Sequence, residues 1–176
     1  QEAPTNVCWG VSNRSALVRV PLGWTAKIDM MSQANPQEKQ EMRDLSDKQT
    51  VEMRSPDGSA DVYQLIAGLC VACRHGFEME HPLEVAEATF VEGDIHDEAH
   101  RKQLSQLKEL PDSCAASADC LERQRAIFEK HGVFSPLMID AILADLRGFN
   151  DRTLRADVSN DPEAMEKLVR RFIHCG

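Results

Sequence analysis

The sequence predicts an α+β fold: a few antiparallel strands belonging to a larger sheet, followed by a helical C-terminal region. Two observations carry this expectation. Runs rich in Val, Leu and Trp, separated by turn residues, occupy the strand-rich part at residues 1–58. From residue 59 to 176 apolar residues recur at helical spacing between cap signals. The chain of 176 residues is the size of one domain, and at this length roughly 68–70% of the unfolded surface is buried, enough for a core without staples.

Taken in order, Asn6–Val11 and Ala16–Val20 read as two strands, with Ser12-Asn13-Arg14-Ser15 as the turn between them. Leu22–Asp47 is polar around Pro36 and reads as a mobile loop with one helical turn over Pro36–Arg43. Thr50–Ser55 is a third strand. Three strands need a partner surface, so this set reads as one piece of a larger sheet. In Asp61–His75, Val62, Leu65, Ile66, Leu69, Cys70 and Cys73 form one core-facing stripe, with Gly76 as the stop. Glu78–Asp97 reads as an acidic, solvated surface. Glu98–Lys108 reads as a polar helix anchored by Leu104 and Leu107, and Cys114–His131 as another, closed by Gly132. Ser135-Pro136 and Asp161-Pro162 each set an N-cap before a proline at the first helical position. The first opens a helix through Ile139, Ile142, Leu143 and Leu146 to Gly148; the second leads to Met165, Leu168, Val169 and Phe172.

Asp and Glu number 29 against 20 Lys and Arg, a net charge of −9. Such a chain repels phosphate backbones, which disfavours a nucleic-acid partner. No apolar run approaches the ~20 residues that span a bilayer, so no membrane is expected either. No leader pattern precedes the first strand, and Gln1 reads as the edge of a processed or truncated chain. The six cysteines are irregularly spaced, which points to reduced thiols and a cytoplasmic location rather than a disulfide framework. Cys70 and Cys73 form a Cys-x-x-Cys inside the apolar stripe with no second pair at zinc-ligand spacing, so they read as core. His96 and His100 stand four apart near Glu98 and read as solvated.

Charged residues inside the strands carry the chemical interest. Side chains alternate along a strand, so Glu52 and Arg54 share one face and Val51 and Met53 the other. Two readings of that pair stand: a surface ion pair, or a polar cavity with an anion on Arg54 and a cation on Glu52. Oxygen ligands suit magnesium or manganese, and the planar fork of arginine suits carboxylate or phosphate. Arg14 lies in the turn, and Arg19 sits mid-strand, where a charge must reach a partner or solvent. Two arginines and a glutamate on adjacent strands are a minimal kit for handling phosphate with a divalent ion, although ion-pair networks gather the same residues.

Glu2-Ala3-Pro4, Asn13-Arg14-Ser15-Ala16-Leu17-Val18-Arg19-Val20-Pro21 and Val51-Glu52-Met53-Arg54-Ser55-Pro56-Asp57 together resemble the glutamine synthetase family, in the C-terminal part of its catalytic domain. The likeness continues through Ala60–Met79, Leu110-Pro111 and Lys130-His131-Gly132-Val133-Phe134. The resemblance implies a role for each matching residue. Glu2 corresponds to the glutamate that closes the site and takes the proton from ammonium. Arg14 corresponds to the arginine that stabilises the phosphoryl group, and Arg19 to the one on the ATP phosphates. Glu52 corresponds to a ligand of the divalent ion, Mg2+ or Mn2+, and Arg54 to the arginine that holds glutamate. The reaction implied joins ammonia to the side-chain carboxylate of glutamate through a γ-glutamyl phosphate, in a homo-oligomer. The chain departs from the family at Gln1, where an aromatic residue is usual, over Asp57–Val62, and in the long loop that displaces the basic residues before Glu52. The upstream metal ligands have no counterpart, so the resemblance implies a fragment, inactive alone. A ligase using another amine and a non-catalytic helical assembly module are the competing readings.

Overall fold

The computed structural model describes residues 4–21, 33–37, 50–93 and 105–174. Glu2, the His96/His100 pair and nearly all of the loop at 22–47 lie outside these described residues. Within them the chain is α+β, with three short strands and six helices. It divides into two compact units, Gln1–Ser55 with Leu83–Leu110, and Pro56–Pro82 with Pro111–Gly176.

The first unit holds a three-stranded sheet in the order β1 (Trp9–Val11), β2 (Val18–Val20), β3 (Glu52–Met53). The strands are shorter than the apolar runs suggest, and the sheet is mixed. β2 and β3 are antiparallel as expected, with Val18 opposite Met53 and Arg19 opposite Glu52. β1 and β2 are parallel, pairing Trp9 with Val18 and Val11 with Val20, which corrects the expected antiparallel pair. The reason lies in the link between them. Ser12 adopts φ +55°, and the Asn13 side chain turns inward instead of capping a hairpin. Its Oδ1 accepts from Ser15 N at 2.9 Å and from Ser15 Oγ at 2.6 Å. Ala16 and Leu17 follow into the core, so the chain arches through the interior and re-enters the sheet in its original direction.

A helix not expected from the sequence runs through the acidic stretch after Glu78, and most of its residues are exposed, as the solvated surface expected there would be. In chain order the helices are α1 (Val62–Glu78), α2 (Pro82–Thr89), α3 (Cys114–Glu129), α4 (Pro136–Gly148), α5 (Leu154–Ser159) and α6 (Pro162–Phe172). The unexpected one is α2. Its anchor is remote in sequence: the Trp9 indole donates to Ala86 O at 2.7 Å, and the Trp9 and Phe90 rings pack 4.9 Å apart. Cys8, Ala16, Val91 and Leu107 form the core of the unit. Leu107 is the anchor the sequence suggested, but residues 105–108 form a turn and not the end of a helix.

The second unit is helical. Its core joins Val71, Ala118, Phe134, Ile139 and Leu143, and Phe128 meets Phe134 edge to face at 5.8 Å. Caps set the helix starts: Asp61 accepts from Tyr63 N and Gln64 N, Ser113 from Ala116 N, Ser135 from Met138 N, and Asp161 from Glu163 N and Ala164 N. α1 runs through Gly76 to Glu78. The face it buries is the one through Ala67 and Val71, four residues apart. Val62, Ile66, Cys70 and Cys73, expected inside, are exposed. Leu65 and Leu69, from the same expected stripe, are half-buried. α5 was not anticipated; Asp151, just before it, accepts from Cys114 N at 2.7 Å and Ala115 N at 3.1 Å and so caps α3 from outside. No helix among the described residues is long and apolar enough to cross a membrane.

Candidate active site

The first unit gathers the charged strand residues. Arg19 on β2 stands directly across from Glu52 on β3, and opposed cross-strand residues share a face. Arg19 Nη2 donates to Glu52 Oε2. Arg54 Nε lies 3.4 Å from Glu52 Oε1, because two residues along a strand return to the same side. Glu52 is therefore flanked by two guanidiniums, whose side chains are 23% and 18% exposed. Charge attraction is stronger at such half-buried positions than at an open surface. Arg19 Nε is buried and has no hydrogen-bond partner among the described residues. The backbone fixes the row: Arg54 N donates to Leu17 O at 2.9 Å, tying the end of β3 to the start of β2.

Arg14 lies in the arch between β1 and β2. It is exposed, unlike the buried Asn13 and Ser15 on either side. With Val11, Ser12, Asn13, Ser15 and Gly93 it lines an open cavity of about 340 Å³. The structure thus brings Arg19, Glu52 and Arg54 into one row and sets Arg14 on a cavity wall. On the companion face of β3, Val51 and Met53 are both exposed.

Sequence reasoning missed Asn13 as a buried polar anchor. Its Nδ2 donates to Gly93 O at 2.5 Å, 80 residues away. The Asn-x-Ser spacing of an Asx turn was the available signal for half of this arrangement. Gly10 was missed as well: a Cβ there would stand 2.7 Å from Val91 O and 3.0 Å from Asn13 Cβ, so only glycine lets the arch lie this close to the 91–93 segment.

Among the described residues no group of three or more His, Cys, Asp or Glu is placed to hold an ion. Glu52 is a single carboxylate already bonded to Arg19, whereas magnesium demands a near-octahedral set of oxygens. The described residues do not by themselves fit a divalent ion.

Comparison with known proteins gives a consistent result. Residues 1–160 match the family model described as glutamine synthetase, catalytic domain. The glutamine synthetase of Pyrococcus abyssi is 31% identical over 133 residues, 74% of this chain and 24% of the relative. That of Azotobacter vinelandii is 30% identical over 146 residues, 81% of this chain and 25% of the relative. The Mycolicibacterium smegmatis protein of the same name is 29% identical over 131 residues, 74% of this chain and 25% of the relative. The chain spans about a quarter of the length of these curated relatives. No solved structure matches it. With the model matched over most of its length, the chain belongs to the glutamine synthetase catalytic-domain family.

Proposed function

We propose that this chain is the C-terminal part of the catalytic domain of an ATP-dependent ligase that joins ammonia to the side-chain carboxylate of glutamate, and that Arg14, Arg19, Glu52 and Arg54 belong to its site. The observation that carries the reading is the row of Arg19, Glu52 and Arg54 on one face of the sheet. The γ-phosphoryl group of ATP passes to the glutamate carboxylate, giving γ-glutamyl phosphate and ADP. Ammonia then attacks the acyl carbon, and phosphate leaves with the C–O bonding pair. Charge spreads over the phosphoryl oxygens during the first step, and fixed guanidiniums stabilise it without reorganising. Arg14 and Arg19 take that role, Arg19 on the nucleotide phosphates. Arg54 holds the substrate carboxylate by its planar fork. Glu52 holds Arg19 and Arg54 apart and in line, and gives a divalent ion one oxygen; the other ligands belong to parts of the enzyme beyond these residues. Glu2 takes the proton released as ammonium becomes a nucleophile. The three strands then form part of a larger catalytic sheet, in a homo-oligomer.

The test is steady-state kinetics on a polypeptide of the relatives' full length that carries this chain. Arg54→Ala raises the KM for glutamate at least tenfold while moving the KM for ATP less than threefold. A tenfold change corresponds to about 1.4 kcal/mol, within reach of a lost charge-assisted hydrogen bond, about 1.5–3 kcal/mol. Glu52→Ala lowers metal-dependent turnover. If both variants behave like the unaltered enzyme, the row is structural and the assignment is wrong.

A further inference from the structure

We infer that Asn13 is a positioning residue for Arg14, clamping the arch so that the guanidinium meets a phosphoryl anion at the cavity wall; this rests on the proposed role of Arg14. Asn13 is 8% exposed and uses both ends of its amide. Oδ1 accepts twice from Ser15, which fixes the turn locally. Nδ2 donates to Gly93 O, which fixes the same turn to a segment distant in sequence. The residue before it, Ser12, sits at φ +55°, a conformation a non-glycine residue keeps only where its surroundings over-determine it. Ser12 N donates to Val20 O at 2.8 Å, so the arch is held on both sides of Arg14. Gly10 completes the seat, since any Cβ there would press on Val91 O and on Asn13. A loop that merely connected two strands would not need a buried amide with each of its polar atoms engaged, because an unfilled buried donor or acceptor carries a desolvation cost. These contacts fix the backbone on either side of Arg14, the exposed residue between them, which lines the cavity beside Gly93. Catalytic arginines act through fixed geometry, and a shift of about 1 Å can cost about a hundredfold in rate.

The experiment titrates the 176-residue chain with inorganic tripolyphosphate and follows the Arg14 Nε–H resonance and the Trp9 indole N–H resonance by NMR. The indole, bonded to Ala86 O, reports whether the unit remains folded. Arg14→Ala weakens tripolyphosphate binding at least tenfold. Asn13→Ala leaves the indole resonance in place, weakens binding at least fivefold and abolishes the shift of Arg14 Nε–H. Where Asn13→Ala loses the folded indole resonance, Asn13→Asp is read instead. It keeps the acceptor for Ser15 and removes only the donor to Gly93, and Ser12→Asp controls for the added charge. Asn13→Asp then binds at least fivefold more weakly than Ser12→Asp. Binding by the Asn13 variant within twofold of its control, alongside a weakened Arg14→Ala, overturns the positioning role. Binding by Arg14→Ala within twofold of the unaltered chain overturns the Arg14 reading itself, and this inference with it.

Discussion

The two units hold themselves together by different means. The strand-bearing unit closes over a small core of Cys8, Ala16, Val91 and Leu107 and relies on polar contacts across long stretches of sequence: Asn13 to Gly93, Trp9 to Ala86, Asn6 to Leu107. The helical unit relies on apolar side chains. Val71, Phe134, Ile139 and Leu143 fill its core, and its helices are capped mostly by adjacent residues, Asp151 on α3 being a remote exception. The difference fits a division of labour. Arginines must be held at fixed points in a site, which hydrogen bonds do with direction, while a helical support needs only packed volume, which nondirectional burial supplies.

The largest expected effect tests the packed unit. Ile139 is 1% exposed and is the largest fully buried side chain among the described residues. Ile139→Ala removes its branched end from a seat between Val71, Ala118 and Leu143, and large-to-alanine changes of this kind cost about 2–5 kcal/mol. Denaturant unfolding followed by far-UV circular dichroism reads it through the helices. A loss below about 0.5 kcal/mol, the range of surface substitutions, would mean this core is not what stabilises the unit.

A smaller effect concerns pH and separates the units by charge. Burial alone would raise the Asp151 pKa, but the amides of Cys114 and Ala115 more than offset it, and the net shift is downward. Asp119 is held down by its bond to Arg152. A carboxyl whose folded pKa is depressed contributes stability that is present above its unfolded pKa, about 3.9, and is lost as pH falls through the folded value. Acid should therefore weaken the helical unit below about pH 4, and Asp151→Asn should flatten that dependence. At neutral pH Asp151→Ala costs about 1 kcal/mol, the usual worth of a helix cap. The check is the Tm of each variant between pH 3 and pH 7. An unchanged acid limb in Asp151→Asn would assign it to other carboxylates.

How far the sequence revealed the molecule follows the same division. α4 and α6 were legible with their starts, because Ser135-Pro136 and Asp161-Pro162 are local signals. The strands were legible as places but not as pairings. The direction of β2 beside β1 depends on a buried Asn13 and its contact 80 residues away, which no local window contains. α2 depends on Trp9 in the same manner, 77 residues from Ala86. The candidate site was legible by residue type, since the motifs name Arg14, Arg19, Glu52 and Arg54. Its arrangement was not: the opposition of Arg19 and Glu52 is a register between segments 33 residues apart.

The smallest expected effect sharpens the contrast inside α1. Periodicity set Cys70 and Cys73 in the core, whereas the structure exposes both and buries Val71 at 2%. Cys8, in the strand-bearing unit, is 3% exposed, and burial pushes its thiol pKa up, with a backbone contact from Leu17 offsetting only part of the shift. The thiolate is the reactive form, so Cys8 is protected twice, by access and by protonation. An aromatic disulfide reagent should therefore modify Cys70 and Cys73 rapidly under native conditions and Cys8 only as its unit opens. Cys70→Ser and Cys73→Ser should each change stability by less than about 0.5 kcal/mol, as surface substitutions do. If both thiols sat in the core, each hydroxyl would lose hydration without a partner, at about 1–3 kcal/mol by mutational experience. Two losses of that size, together with slow labelling of both thiols, would return the buried face of α1 to the stripe through Val62, Ile66, Cys70 and Cys73. Fast labelling with unchanged stability keeps it at Ala67 and Val71.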